Sequence, residues 1–167
     1  MPSKFKTLLT ECSRGLSQEN RKWFYLPYDQ VTDRIGPLSK LPPQECGIIL
    51  VESPWKAARR PYHKQKLALI LSNLRHFALE QARRGVAVKH IVVNGPYSQA
   101  LGQLLSEVGT VTMMEAAELE LRKDLQGLVE SGALQVVPHQ GWLASVEDLL
   151  ACEKDGKFRM DAFYRRL

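Results

Sequence analysis

Two short β-branched runs, CGIILVES (46–53) and VAVKHIVV (86–93), flank a long segment whose apolar residues recur every three or four positions. This order constrains the fold more than any other feature of the chain. From about Pro61 to Arg84, the residues Leu67, Ile70, Leu71, Leu74, Phe77 and Ala78 make one stripe of a helix, and Gly85 supplies its stop. Strand, helix and strand joined by short turns imply a parallel pair with the helix packed across it. KWFYLPY (22–28) reads as an earlier strand, with TVTMME (110–115) and ALQVVPH (133–139) as two later ones. Helical patterns at Tyr97–Val108 and Ala116–Ser131 separate them, ended by Gly109 and Gly132, and Asn94-Gly95-Pro96 marks the turn into the first. The expected architecture is α/β: a Rossmann-like, doubly wound parallel sheet of about five strands with flanking helices. Lys4 to about Leu16 adds a helix packing through Phe5, Leu8, Leu9 and Cys12.

With 167 residues, 44% hydrophobic and 25% charged, the chain has the composition of one folded domain spanning 1–167. Pro42-Pro43 is a loop before a strand rather than a boundary. No apolar run reaches the roughly 18–20 residues that cross a bilayer, and MPSKFKTLLTECSRG lacks the pattern of a signal peptide, so a cytoplasmic protein without membrane contact is expected. Cys12, Cys46 and Cys152 are too few and too far apart for a disulfide framework, a CxxC metal site or a four-cysteine cluster. They are expected as reduced thiols, and no metal is expected, because the four histidines 63, 76, 90 and 139 show no short ligand spacing.

Charge is distributed unevenly. Lys and Arg outnumber Asp and Glu by 23 to 18, yet no acid lies between Glu52 and Glu80, where Lys56, Arg59, Arg60, Lys64, Lys66 and Arg75 fall. That segment suits an anionic partner or a solvated basic face.

Ligands of open parallel sheets bind beyond the carboxyl ends of the strands. Two segments qualify: Tyr28-Asp29-Gln30 after the first strand, and Glu52-Ser53-Pro54-Trp55-Lys56 after the second. At about 100° per residue, His63 projects to the side of the stripe and faces inward, Lys66 flanks Ile70, and His76 points to solvent. The expected pocket has a polar rim of Asp29, Gln30, Glu52 and His63 and an apolar wall that includes Ile70. The structural alternative has Asp29 capping a turn, Glu52 paired with Arg59 or Arg60, and His63 satisfied at a helix end. Trp55, beside Lys56, suits a stacked planar ligand or a docking domain. GxGxxG, GxxxxGK[ST] and GxSxG are all missing, so dinucleotide, P-loop and hydrolase machinery is not indicated and no catalytic residue is assigned.

A first strand leading to Asp29-Gln30, then ILVES (49–53), YHKQKLALILSNLRHFALEQARRG (62–85) and FRMDAFYRRL (158–167) together resemble the N-terminal domain of the deoxyribodipyrimidine photolyase-related proteins. That family is the bacterial branch of the photolyase and cryptochrome superfamily, and the likeness runs from about Lys22 to Leu167. It implies a flavoprotein in which this domain precedes a helical domain, absent from this chain, that holds FAD and a 4Fe-4S cluster. It also implies light-driven repair of photoproducts in damaged DNA, with no catalysis by this domain in isolation. A lumazine-type antenna chromophore would sit between the loop after the first strand and the helix after the second. By position, Asp29, Gln30, Glu52, His63, Lys64 and Ile70 match family positions there, while Tyr28, Lys56 and Lys66 border the same space. Two departures stand out: Pro27-Tyr28 replaces a glycine before Asp-Gln, putting a phenol where a ligand ring would lie, and Lys56 stands where lumazine-binding relatives can carry an acid. The competing functional classes are a free-standing nucleotide- or anion-binding protein and a module that only docks another domain.

Overall fold

A computed structural model describes residues 3–167. Its central sheet has five parallel strands: β1 (Lys22–Tyr25), β2 (Cys46–Glu52), β3 (Ala87–Val92), β4 (Val111–Met114) and β5 (Leu134–Val137). Their order across the sheet is β3-β2-β1-β4-β5, so the chain reverses its direction of winding between β1 and β4. This is the Rossmann-like arrangement that the alternating pattern predicts, and the strands lie within a few residues of their expected positions. The first strand is shorter than expected. It ends at Tyr25, because Pro27 has no N–H to continue the ladder and Tyr28-Asp29 turns away.

The α-helices are α1 (Lys4–Cys12), α2 (Pro54–Ala58), α3 (Lys64–Arg83), α4 (Tyr97–Val108) and α5 (Leu119–Glu130), followed by α6 (Val146–Leu150) and α7 (Met160–Arg166). A small antiparallel hairpin, β6 (Glu153–Lys154) with β7 (Lys157–Phe158), joins the last two. No helix among the described residues is long and apolar enough to cross a membrane. The expected helix from Pro61 is α3, which starts three residues later at Lys64, and a short helix, α2, precedes it. Ser53 caps α2 by accepting from the Lys56 N–H, the chain breaks over Arg59–Tyr62, and His63 caps α3. Pro61 explains the break, since it disfavours helical backbone at Arg60.

Alternation along each strand divides the interior into two cores. Phe24, Leu26, Ile48 and Leu50 face α3 and pack on Leu74, Phe77 and Ala78, with Phe5 and Leu9 of α1 at the margin. Tyr25, Ile49, Val51 and Met113 face the other way, onto Leu101 of α4 and Leu125 of α5. One side chain fastens α4 to α5: the Asp124 carboxylate accepts from the N–H groups of Tyr97 and Ser98 at 2.8 and 3.3 Å and from the Ser98 hydroxyl at 2.5 Å. The amino end of α4 is thereby occupied by a carboxylate of the chain itself.

Gly47 shows how closely the β1–β2 pair is packed. A Cβ at this position would lie 2.5 Å from the indole of Trp23, its register partner on β1. Gly47→Ala should therefore destabilise the domain by about 1–3 kcal/mol through overpacking. Trp23→Leu should recover part of that loss in the double variant, as read by chemical denaturation, and strictly additive losses would show that the indole is not the obstacle.

Candidate functional site

The apolar stripe of α3 is longer than the sheet it packs on. Twenty residues of helix span about 30 Å, whereas the seven residues of β2 span about 23 Å, and β1 is shorter still. Leu74, Phe77 and Ala78 rest on the sheet. Leu67, Ile70 and Leu71, one and two turns earlier, overhang the carboxyl ends of β1 and β2 and border a cavity of about 270 Å³. Tyr28 from the loop after β1, Lys56 from α2, Tyr62 before α3 and Tyr97 at the start of α4 complete most of the wall.

Of the residues expected at this site, Tyr28, Glu52, Lys56, Lys66 and Ile70 border the cavity, and Asp29, Gln30 and His63 do not. His63 is exposed rather than inward-facing; its Nδ1 accepts from the Gln65 N–H at 3.2 Å. A helical-wheel projection fails there because His63 has extended backbone and precedes the helix. Gln30 is buried, but its amide donates to the Glu115 carbonyl at 2.8 Å and ties the β1 loop to the end of β4. Asp29 stands exposed on the turn. His76 is exposed, as its place on the helix predicts.

Glu52 borders the cavity but is not a free rim carboxylate, and its partners are not Arg59 or Arg60. Arg75 grips it with Nε at 2.7 Å and Nη2 at 2.6 Å, and His90 Nε2 lies 2.8 Å from Oε1. Phe5 of α1 covers the group, edge-on to His90 at 4.9 Å between centroids, with the Arg75 guanidinium 5.5 Å from its ring. Burial alone would push the Glu52 carboxyl up, but the bonds from Arg75 and His90 outweigh it and hold it at about 2.

Lys56 is likewise committed. Its ammonium, almost buried, donates at 2.6 Å to both Glu118 and Glu120, and Glu120 also pairs with Arg60. Burial would lower its pKa, yet the two carboxylates raise it above the ordinary value. The basic segment after Glu52 is thus partly neutralised by acids far away in sequence. Tyr28 donates its hydroxyl to the same Glu118 at 3.3 Å, which holds the ring as a wall with the cavity open beside it. Burial first, and then the Glu118 charge, push both Tyr28 and Tyr97 up to about 12, so each is a neutral phenol. Lys66 is the cation at the rim, 5.5 Å from the Tyr62 ring centre.

Tyr97, Arg75, His90, Glu118 and Glu120 were not singled out for this site by the sequence. His90 left a trace, as a lone imidazole in an apolar run, and Arg75 appeared only as one charge of the basic segment. The acids of α5 left none, since nothing local shows that α5 begins beside α2. The arrangement is a largely apolar, phenol-lined cavity whose carboxylate and buried ammonium are already satisfied, suited to holding a flat ring rather than to proton transfer.

The family model described as deoxyribodipyrimidine photo-lyase-related protein matches residues 24–167. A protein described as (6-4) photolyase from Agrobacterium fabrum is 24% identical over 115 residues, covering 65% of this chain and 23% of the relative. The chain therefore spans less than a quarter of that relative's length.

The Glu52 cluster predicts a pH dependence. Its folded pKa of about 2 lies below the ordinary 4.5, so its stabilisation is fully present above pH 4.5 and is lost as pH falls through about 2. The shift corresponds to on the order of 3 kcal/mol for this buried carboxylate. The stability gap between the wild type and Glu52→Gln, from urea unfolding, should narrow across that window. A gap that stays constant would mean that the ion pair is not its source.

Proposed function

Because the chain belongs to the deoxyribodipyrimidine photo-lyase-related protein family, we propose that it serves as the N-terminal α/β domain of a photolyase-type flavoprotein acting on ultraviolet-damaged DNA. In this reading, its cavity holds a lumazine-type antenna chromophore. The observation that carries the reading is the position of the cavity: between the loop after β1 and the helix after β2, where the family resemblance locates the antenna.

The wall chemistry fits the ring. Ile70 and Leu71 offer apolar contact, Tyr28, Tyr62 and Tyr97 offer aromatic surface, and Lys66 offers a cation for an electron-rich or anionic heterocycle. Glu52 acts one step removed, by fixing Arg75 on α3 against β2 and so holding the overhanging turns in place. Lys56 and Tyr28 are locked by Glu118, which makes the site preformed. A bound antenna would absorb light and pass the excitation to a flavin. The FAD and 4Fe-4S cluster of such a protein belong, in this proposal, to a helical domain outside this chain.

Docking of that domain has support in the surface. Eight of the fourteen exposed large apolar side chains of the described residues fall between Trp142 and Leu167, among them Leu143, Phe158 and Tyr164. A helical flavin domain from a family member, supplied in trans, should slow amide hydrogen exchange over 142–167, and unchanged exchange there removes the docking assignment.

The chromophore reading is tested by ligand-linked melting. A ribityl-lumazine at a hundredfold excess over its dissociation constant should stabilise the chain by about 2.7 kcal/mol. Ile70→Trp should abolish the shift while the ligand-free protein keeps its fold, because the added volume enters the cavity. Unfolding of that variant would show Ile70 to be packed core, and the absence of any shift in the wild type would sink the chromophore reading.

A further inference from the structure

A second hollow of about 280 Å³ lies on the other side of the Lys56 ion pair, between α2 and the amino ends of α4 and α5. Lys56 and Tyr97 are common to the walls of both cavities. The first cavity falls just short of the roughly 300–1,000 Å³ usual for small-molecule sites. Its polar groups are also largely spent: Glu52 on Arg75 and His90, the Ser53 hydroxyl on the Gly95 carbonyl, and Lys56 on Glu118 and Glu120. A flat ring fits there, but a polar chain attached to the ring finds few partners.

The second hollow has the opposite character. Its two acids are committed, Glu120 to Lys56 and Arg60, and Asp124 to the amino end of α4. Its two exposed cations, Arg59 and Lys123, form no ion pair among the described residues. The Arg59 guanidinium lies 4.7 Å from the centre of the Trp55 ring, which pre-orders it. The free functionality there is cationic, and it adjoins the ring cavity across the Lys56–Tyr97 wall.

We propose that the ligand site is bipartite: the cavity under α3 takes the ring, and the hollow at Trp55, Arg59 and Lys123 takes an anionic tail, so that the preferred ligand is a flat heterocycle ending in a phosphate. This rests on the chromophore reading above. It adds the class of ligand and assigns roles to Arg59 and Lys123.

The test is a matched pair of probes, a ribityl-lumazine and its terminal phosphate ester, titrated by fluorescence at low ionic strength. The ester should bind about tenfold more tightly or better. The Arg59→Gln, Lys123→Gln double variant should bring the ratio of the two affinities close to one. Lys154→Gln with Lys157→Gln, on the β6–β7 hairpin that lines neither cavity, makes the same change in net charge and should keep the ratio. Equal affinities in the wild type, or loss of the ratio in the hairpin pair as well, would overturn the bipartite site. Loss of the ratio in Lys66→Gln, with retention in the Arg59 and Lys123 pair, would overturn it too, by placing the phosphate at the opposite rim. If neither probe binds, the chromophore reading itself fails and the tail site falls with it. Binding of both with equal affinity leaves that reading standing and removes only the tail.

Discussion

The central strands end before the helix that covers them does, and the site depends on that mismatch. Pro27 stops β1 and the chain leaves β2 after Glu52, while α3 continues its apolar stripe for two further turns. Those turns have no sheet to rest on. Burying apolar surface contributes about 25 cal/mol per Å², so a bare overhang is unfavourable unless something covers it. Here α2, the Tyr28 turn and Tyr97 enclose it only in part, and a cavity remains where a shorter helix would have left plain surface.

Two charged clusters, one buried at Glu52 and one partly exposed at Glu120, hold this incomplete enclosure in shape. Arg75–Glu52–His90 ties α3 to β2 and β3 at the ends of the strands, beneath Phe5. Lys56–Glu118–Glu120 ties α2 to the start of α5 and, through Glu118, orients Tyr28. Buried ion pairs add little net stability compared with apolar packing, but removing one partner is costly. Their effect here is positional: each fixes how neighbouring elements sit at that end of the sheet. Pairing of the charges within each cluster also leaves the cavity dominated by aromatic and aliphatic surface, with Lys66 at its edge.

Much of the fold was legible locally. The β-branched runs at 46–53 and 86–93, the stripe from Leu67 to Ala78 and the stops at Gly85, Gly109 and Gly132 report backbone preference and burial, which act over a few residues. The same reasoning selected Tyr28, Glu52, Lys56, Lys66 and Ile70 as neighbours, because the strand ends and the helix stripe fix their side of the sheet. It failed at His63, which lies outside the helix whose periodicity was applied to it, and at Gln30, whose partner is the Glu115 carbonyl of another loop. The quoted motifs placed the chain in its family, as the match over residues 24–167 shows.

By itself, then, the sequence determined the α/β class, the parallel winding, the end of the sheet where the cavity opens and the family, since each is written in short-range pattern or motif. Only the tertiary structure decided which charges meet. Glu52 selects Arg75 and His90 over Arg59 and Arg60, which are nearer in sequence, and Lys56 finds its acids at the start of α5. Charge pairing in a folded chain is set by distances of a few ångströms between elements far apart in sequence, and Coulomb interactions in a buried site fall to whichever partner the packing brings closest.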